Sequence, residues 1–263
     1  MTQVERGGER PAEFVQSLER GLAVIRAFSA ARPRMTLAEV ARQTGMTRAT
    51  ARRFLITLEA LGYVSSDGRA FFLRPRVLQL GYAYLSSFTV AEVAQDHLEE
   101  LAEQLHESCS ASVLDGEDIV YVARSSTNRI MTIGLSVGTR LPAHCTSMGR
   151  VLLAGLPEAD LHRYLHGASL HARTPRTITD PHRLRAEIDV VRSQGWALLD
   201  QELEEGVRSV AVPVRDASGA VVAAINTSAH ATRVTLDTLR TAFLPALRTC
   251  GEQIEADLAG GPR

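Results

Sequence analysis

The sequence predicts an α+β protein in which a winged helix-turn-helix and a linker helix precede a domain with a six-stranded, mainly antiparallel sheet. The order of predicted elements supports this, because three helices and a β-hairpin come first and six strands in hairpin order follow. The charge distribution supports it too. Residues 1–80 hold 13 Arg and 7 acidic residues, whereas residues 81–263 hold 16 Arg and 23 acidic residues. A basic first part on an acidic remainder indicates a nucleic-acid-binding head and a separate body.

The chain is expected to begin with a flexible arm and one helix. Residues 1–13 are polar and contain two adjacent glycines, which is typical of an arm. The helix is expected to begin at a Ser17 cap and to end before Pro33.

A helix-turn-helix is predicted for Thr36–Leu61. Thr36 and Glu39 have the spacing of a capping box, and Gly45 suits the positive φ of a helix C′ position. The second helix opens with hydroxyl and basic side chains, which in this motif reach DNA bases or phosphates in the major groove. A solvated helix face is the alternative interpretation. The residues expected to contact DNA or to position the helix on it are Thr47, Arg48, Thr50, Arg52 and Arg53.

A β-hairpin is predicted directly after the second helix. Tyr63–Ser65 and Ala70–Leu73 have strand character, and the segment Ser66–Gly68 is a turn. This hairpin would form the wing, with Arg69 near its tip against the flanking DNA backbone or minor groove. Sequence-independent binding by a structural nucleoid protein is an alternative function for such a head.

A linker helix is predicted over residues 76–88, after Pro75 ends a DNA-binding domain of residues 14–75. Its apolar residues recur at helical spacing and form one stripe, which packs either on the body or on a second subunit. Pairing of subunits is attractive because helix-turn-helix heads usually read paired half-sites. The stripe consists of Val77, Leu80, Gly81, Tyr84, Leu85 and Phe88.

Residues 89–263 are expected to form the second domain. Helices are expected from Thr89, near Thr146, over Asp180–Gln194 and from Thr235 to about residue 259. Segments with strand character and turn residues lie between them. The predicted strands are Ser110–Leu114, Ile119–Arg124, Ile130–Leu135, Trp196–Leu199, Ser209–Arg215 and Val221–Ser228.

The sequence contains no glycine-rich phosphate loop, H-E-x-x-H, G-x-S-x-G or C-x-x-C motif. We therefore expect no cofactor, no metal and no catalytic residue. An enzyme that acts through Cys145 is the alternative from another class, although His144 and Cys145 are adjacent and would point to opposite faces of an extended chain. His162 and His166 are four residues apart, but no further ligand stands beside them at metal-site spacing.

Three scattered cysteines, no signal-peptide pattern and no apolar run of membrane-spanning length predict a cytoplasmic protein that does not enter a membrane.

Polar residues recur where the predicted strands of the body meet loops. A cleft with a few convergent hydroxyl and amide groups is what a small-molecule site requires, and the helix start near Thr146 and Ser147 offers backbone N–H groups to a carboxylate. Ordinary capping and turn chemistry explains each residue singly, so both interpretations stay open. The recurring residues are His144, Cys145, Thr146, Ser147, Asp200, Ser209, Asn226 and Ser228.

Four separated motifs occur in a fixed order between Phe14 and Leu258. They are SLERGLAVIRAF, TLAEVARQTGMTRATARRFLITLEALGYV, LPAHCTSMGRVLLA and GWALLDQELEEGVRSVAVPVRDASGAVVAAINTSA. In this order they resemble the isocitrate lyase regulator (IclR) family of bacterial transcription factors. The resemblance implies a GAF-like effector domain as the body. It also implies homodimers or dimers of dimers that bind palindromic operators in double-stranded DNA.

The resemblance also implies a set of effector-binding residues. They would lie on the third strand, at the start of the following helix, after the Trp196 strand and on the last two strands. Asn226 and Met148 differ from the corresponding residues of family members that bind very small oxoacids. The implied residues are Ile130, Ser147, Met148, Asp200, Val207, Ser209, Asn226 and Ser228.

The run Asn128–Pro157, NRIMTIGLSVGTRLPAHCTSMGRVLLAGLP, resembles the regulators of protocatechuate and 4-hydroxybenzoate catabolism in the β-ketoadipate pathway. Their effectors are aromatic acids or dicarboxylates, so the resemblance implies a small anionic organic acid as the ligand. Arg124, Arg129 or Arg140 could pair with its carboxylate, or could simply be exposed. A regulator that senses a short oxoacid or another small metabolite is the alternative.

Overall fold

In the computed structural model the chain divides into two units, Met1–Tyr84 and Leu85–Arg263, called the head and the body below. The structure describes Pro11 and residues 13–85, 89–126 and 135–260. Nearly all of the predicted arm, residues 1–13, therefore lies outside the described residues. Within the described ranges, no helix is long and apolar enough to cross a membrane.

The head consists of three helices and a small antiparallel sheet, as predicted, with one additional strand. The helices are α1 (Gln16–Ala27), α2 (Leu37–Thr44) and α3 (Arg48–Ala60), and the strands are β1 (Arg34–Met35), β2 (Val64–Ser66) and β3 (Phe71–Leu73). The sheet order is β1-β3-β2. β1 was not predicted, because two residues between a proline and a capping box show no alternation. Val24, Val40 and Leu55 are completely buried where the three helices meet.

Helix boundaries in the head follow the capping residues, with one exception. Thr36 Oγ1 accepts a hydrogen bond from Glu39 N, and Gly45 closes α2 with φ of 66°. The prediction that Ser17 caps α1 is wrong. The Val15 carbonyl accepts hydrogen bonds from the N–H groups of both Leu18 and Glu19, so α1 begins at Gln16 and Ser17 lies inside it.

The predicted linker begins with a 3₁₀ turn, Pro75–Val77, and continues as α4 (Leu78–Leu85). Proline is well placed at this start because its missing N–H would be unpaired there in any case. Residues 86–88, the last of the predicted linker, lie outside the described part of the chain.

The body is a six-stranded sheet with helices on both faces. Its helices are α5 (Thr89–Leu105), α6 (Ser147–Ala154), α7 (Glu158–Gly167), α8 (Pro181–Gln194), α9 (Leu236–Thr238) and α10 (Leu244–Gly260). Its strands are β4 (Ser108–Asp115), β5 (Asp118–Ser125), β6 (Arg140–Pro142), β7 (Ala197–Asp200), β8 (Val207–Arg215) and β9 (Val221–His230). The strand order is β6-β5-β4-β9-β8-β7, and every pairing is antiparallel.

Five predicted strands of the body correspond to strands of this sheet, and the sixth is different. The edge strand beside β5 is Arg140–Pro142, whereas all but the last residue of the predicted strand Ile130–Leu135 lies outside the described residues. The closing helix also differs from the prediction, because a π-helical turn at Leu239–Phe243 separates α9 from α10.

The two faces of the sheet have different environments. One face packs against α5 and α10, where Cys109, Val210 and Ile225 are completely buried. The other packs against α6, α7 and α8 around Met148 and Leu153. Asn226 and Ser228 are two residues apart on β9, so they share one face of the strand, opposite to that of Ile225 and Thr227.

Candidate functional site

The first turns of α3 present an exposed basic surface. Ala51, Leu55 and Leu58 fix the opposite side of the helix in the core of the head. Arg48, Arg52 and Arg53 are exposed. Their guanidinium groups form no ion pair or hydrogen bond within the part of the chain that the structure describes. They are therefore available to phosphates or base edges.

The two threonines predicted to belong to this surface are bonded to each other. Thr47 Oγ1 accepts a hydrogen bond from Thr50 N at 3.2 Å and lies 2.9 Å from Thr50 Oγ1. Thr47 therefore caps α3, and Thr50 is partly buried. Both residues hold the helix start in place.

The wing tip is fixed by one carboxylate. Asp67 Oδ1 accepts hydrogen bonds from the N–H groups of Arg69 and Ala70 at 2.9 and 2.8 Å, and Gly68 adopts φ of 88°. These bonds, with an ion pair to Arg34, lower the pKa of Asp67 to about 2. The side chain of Arg69 is exposed and has no partner among the described residues.

An apolar groove lies elsewhere on the head. It runs between α1, α3 and the start of α4, and several leucines on it are exposed, with Leu18 at 62% and Leu61 at 51%. Leu22 on α1 is also exposed.

The body contains a cavity between the sheet and α6. Five of the eight predicted effector-binding residues line it, namely Met148, Val207, Ser209, Asn226 and Ser228. The other lining residues are Tyr121, Leu135, Cys145, Thr146, Leu199, Glu202 and Leu203.

A polar row from two strands forms one side of this cavity. Ser209 on β8 stands directly opposite Ser228 on β9, and Asn226 lies on the same face two residues earlier. Asn226 Nδ2 donates a hydrogen bond to Ser228 Oγ at 3.0 Å. Antiparallel pairing therefore brings the Ser209 hydroxyl on β8 close to the Asn226 amide and the Ser228 hydroxyl on β9. In the sequence, Ser209 and Asn226 are 17 residues apart.

The amino terminus of α6 lies beside this cavity. Thr146 Oγ1 accepts a hydrogen bond from Gly149 N at 3.2 Å and caps the helix. Ser147 is 1% exposed, and its Oγ has no hydrogen-bond partner. Its neighbours Thr146 and Met148 line the cavity, although Ser147 itself does not. Gly149 is required here, because a Cβ would lie 2.1 Å from the Ala143 carbonyl oxygen.

Among the described residues that the resemblance implies, two do not line the cavity, Ser147 and Asp200. Asp200 does not line it, because its carboxylate forms ion pairs with Arg176 and Arg208. Burial opposes ionisation of Asp200, but the hydrogen bond from Arg208 and its other partners lower its pKa overall. Ile130 lies outside the described residues.

The three candidate partners of a ligand carboxylate have different environments. Arg140 forms ion pairs with Asp115 and Asp118. Arg124 Nη1 donates to Ser110 Oγ at 3.3 Å. Arg129 lies outside the described residues.

Five lining residues were not singled out from the sequence: Tyr121, Leu135, Leu199, Glu202 and Leu203. Tyr121 and Leu199 lie on β5 and β7, and strand alternation combined with the register places them on the cavity face. A β-bulge at Ala111 and Ser112 shifts that register, and a sequence pattern gives no sign of it. Glu202 lies in the acidic loop between β7 and β8.

The geometry of His144 and Cys145 is unsuited to nucleophilic catalysis. Burial raises the pKa of the Cys145 thiol to about 12, so the thiol is protonated at neutral pH. His144 Nε2 lies 3.1 Å from the His171 carbonyl oxygen, and burial lowers the pKa of His144. His162 and His166 stack with ring centroids 3.9 Å apart. No group of three metal-ligating side chains occurs among the described residues.

Comparison with known proteins decides the family. The IclR helix-turn-helix domain matches residues 17–68, and the carboxy-terminal domain of bacterial transcriptional regulators of the IclR type matches residues 82–256. The chain belongs to the IclR family. This IclR protein is 50% identical over 249 residues to the Pca regulon regulatory protein of Pseudomonas putida, with 94% of this chain and 86% of that protein covered.

Solved structures agree with this family assignment. A transcriptional regulator of Rhodococcus sp. RHA1 is 56% identical with a TM-score of 0.83, over 93% of this chain and 98% of that one. The inducer-binding domain of the PobR transcription factor from Acinetobacter, a double mutant in complex with 3-hydroxybenzoic acid, is 38% identical with a TM-score of 0.60. That match covers 62% of this IclR chain and 96% of the PobR domain.

Proposed function

We propose that this IclR protein is a ligand-responsive transcriptional regulator of aromatic-acid catabolism, of the type that controls protocatechuate or 4-hydroxybenzoate use. Its affinity for operator DNA would change when a small aromatic acid binds in the body. The observation that carries the proposal is the cavity beside α6, whose polar row is Ser209, Asn226 and Ser228. The relatives from the Pca and PobR branch support the aromatic class.

The carboxylate of the effector is best received at the start of α6. The first N–H groups of a helix attract an anion, and the unpaired hydroxyl of Ser147 is an additional donor beside the cavity. The ring would then contact the apolar lining, including Met148 and Leu199.

The head would bind double-stranded DNA through the exposed arginines of α3 and through Arg69 on the wing. Contacts with phosphates give affinity, and contacts with base edges give specificity. A function on chromosomal DNA would place the protein in the bacterial cytoplasm.

Two heads are needed to read a palindromic operator, so we propose that the protein acts as a homodimer or a dimer of dimers. The exposed leucines of the α1–α4 groove support this proposal, because a second copy of the chain would bury them.

A panel of organic acids tests the effector class. Thermal unfolding is measured with protocatechuate, 4-hydroxybenzoate, β-ketoadipate, glyoxylate, pyruvate and allantoin. A hydroxylated aromatic acid at about 100 times its dissociation constant should stabilise the protein by ~2.7 kcal/mol.

Ser209→Ala should reduce this stabilisation, whereas Ser193→Ala on α8, which lies outside the cavity, should leave it unchanged. Stabilisation by glyoxylate, pyruvate or allantoin alone would favour the oxoacid alternative and contradict the aromatic class.

A further inference from the structure

Glu202 lines the cavity, and only one of its two carboxylate oxygens accepts hydrogen bonds from the described residues. Its Oε2 accepts hydrogen bonds from Arg150 Nη2 at 2.7 Å and from Ile178 N at 3.4 Å. Its Oε1 accepts none from any residue that the structure describes. The side chain is 13% exposed, so the unoccupied oxygen is largely withheld from bulk water.

The backbone that carries Glu202 is held on both sides. Thr174 Oγ1 donates to the Gln201 carbonyl at 2.7 Å, and Thr177 Oγ1 donates to the Glu202 carbonyl at 2.6 Å. Gln201 Oε1 accepts a hydrogen bond from Gly206 N at 3.0 Å. The loop therefore fixes where the carboxylate lies.

The same loop contains an unusual backbone conformation. Gln201 adopts φ of 63°, which is rare for a residue with a side chain. Such strain persists only where surrounding contacts enforce it, and it concentrates at ligand-binding sites. Asp200 contributes to this enforcement, because its Oδ1 accepts hydrogen bonds from Gln201 Nε2 and Arg208 Nε. Asp200 is thus a positioning residue for the loop.

The charge state of Glu202 decides what it can bind. Burial raises the pKa of its carboxyl, and the adjacent Arg150, itself almost completely buried, offsets part of that rise. With Arg150 bonded to it, the carboxylate is an acceptor. A ligand hydroxyl would donate to Oε1 in a charge-assisted hydrogen bond, whereas a ligand carboxylate at the same place would be repelled.

We propose that Glu202 determines effector specificity by accepting a hydrogen bond from a ring hydroxyl, so that the cavity selects hydroxylated aromatic monocarboxylates and rejects dicarboxylates. The inference rests on the proposed function, and it adds the group that would recognise the effector's ring hydroxyl. Tyr121 also lines the cavity. Burial raises the pKa of its hydroxyl to about 12, so this hydroxyl keeps its proton.

Three acids with the same ring and the same first carboxylate test the proposal: 4-hydroxybenzoate, benzoate and terephthalate. Their dissociation constants are measured by calorimetry on the parent protein and on Glu202→Gln. The parent should bind 4-hydroxybenzoate about 10-fold or more tightly than benzoate, since a hydrogen bond to a charged group contributes ~1.5–3 kcal/mol. Terephthalate should bind weakest.

Glu202→Gln should weaken the binding of 4-hydroxybenzoate, leave the affinity for benzoate nearly unchanged and strengthen the binding of terephthalate. A folding defect cannot produce these opposite changes, because it would weaken the binding of all three acids. Glu205→Gln, the same substitution at an exposed position of the same loop, should leave all three affinities unchanged.

If Glu202→Gln does not fold, Glu202→Asp replaces it, because it keeps the charge and withdraws the carboxylate. The Glu202→Asp protein should bind 4-hydroxybenzoate more weakly than the parent and should still bind terephthalate poorly. An unchanged preference for 4-hydroxybenzoate over benzoate in the folded variant overturns the role of Glu202. Binding of none of the three acids to the parent protein overturns the proposed effector class, and the inference with it.

Discussion

The three arginines at the start of α3 form no ion pair or hydrogen bond with any residue that the structure describes. Elsewhere, Arg140 and Arg185 each pair with two carboxylates, and Arg208 pairs with Asp200. Pairing of this kind neutralises a guanidinium and fixes its position. An exposed, unpaired guanidinium keeps its full charge for a phosphate or a guanine edge.

Single substitutions on α3 should weaken operator binding without affecting the fold. We expect Arg52→Ala or Arg53→Ala to cost ~1–3 kcal/mol of binding free energy if the side chain contacts a base, and to reduce the salt dependence if it contacts a phosphate. Mobility-shift titrations at two salt concentrations measure both effects.

Arg240→Ala is the matched control, because it removes the same charge from an exposed position in the body. Unchanged operator binding by both α3 variants would contradict the assignment of the DNA-binding surface.

At the scale of secondary-structure elements, α1 contributes to the core through Val24 and Ala27 while Leu18 and Leu22 are exposed beside α3 and α4. A monomeric head would leave this apolar surface in water. Two heads joined through it would bury it and would hold two α3 helices on one DNA molecule.

Leu18→Glu should therefore weaken association between copies of the chain. Because Leu18 is 62% exposed, a charge there can reach water and the head should remain folded. Sedimentation analysis should show a shift toward the monomer over the same concentration range in which the parent protein associates.

Val190→Glu is the control, since Val190 is also an exposed apolar residue but lies on α8 of the body. An unchanged oligomeric state of Leu18→Glu would exclude the groove as the interface.

Elements whose ends carry capping signals could be predicted closely from the sequence. Pro181–Gln194 is such a case, with Asp180 as the cap and Gly195 at φ of 80°. The edge strand Arg140–Pro142 could not be predicted, because three residues give no period and its pairing with β5 depends on tertiary contacts. The π turn before α10 could not be predicted for a different reason, because helical periodicity continues on both sides of it.

The cavity was only partly predictable. Ser209, Asn226 and Ser228 follow from strand alternation and the resemblance, and the register brings them together. Glu202 does not follow from any pattern, because its position depends on a left-handed residue and on hydrogen bonds to a loop about 25 residues earlier in the chain.

At the scale of the whole molecule, the chain contains two units that each have their own core. The covalent connection between them consists of α4 and residues 86–88. An effector can control DNA binding only through a difference in its affinity between the free and the DNA-bound protein. Linkage requires that DNA change the effector affinity by the same factor.

The central claim is this coupling between the cavity in the body and the DNA surface of the head. The measurement that tests it most directly is a fluorescence-anisotropy titration of an operator fragment, selected from random DNA by the protein itself, with and without saturating 4-hydroxybenzoate. We expect the two dissociation constants to differ by about 5-fold or more, which is typical of allosteric coupling. If calorimetry shows that 4-hydroxybenzoate binds and yet the two DNA titrations coincide, the proposed regulation is contradicted.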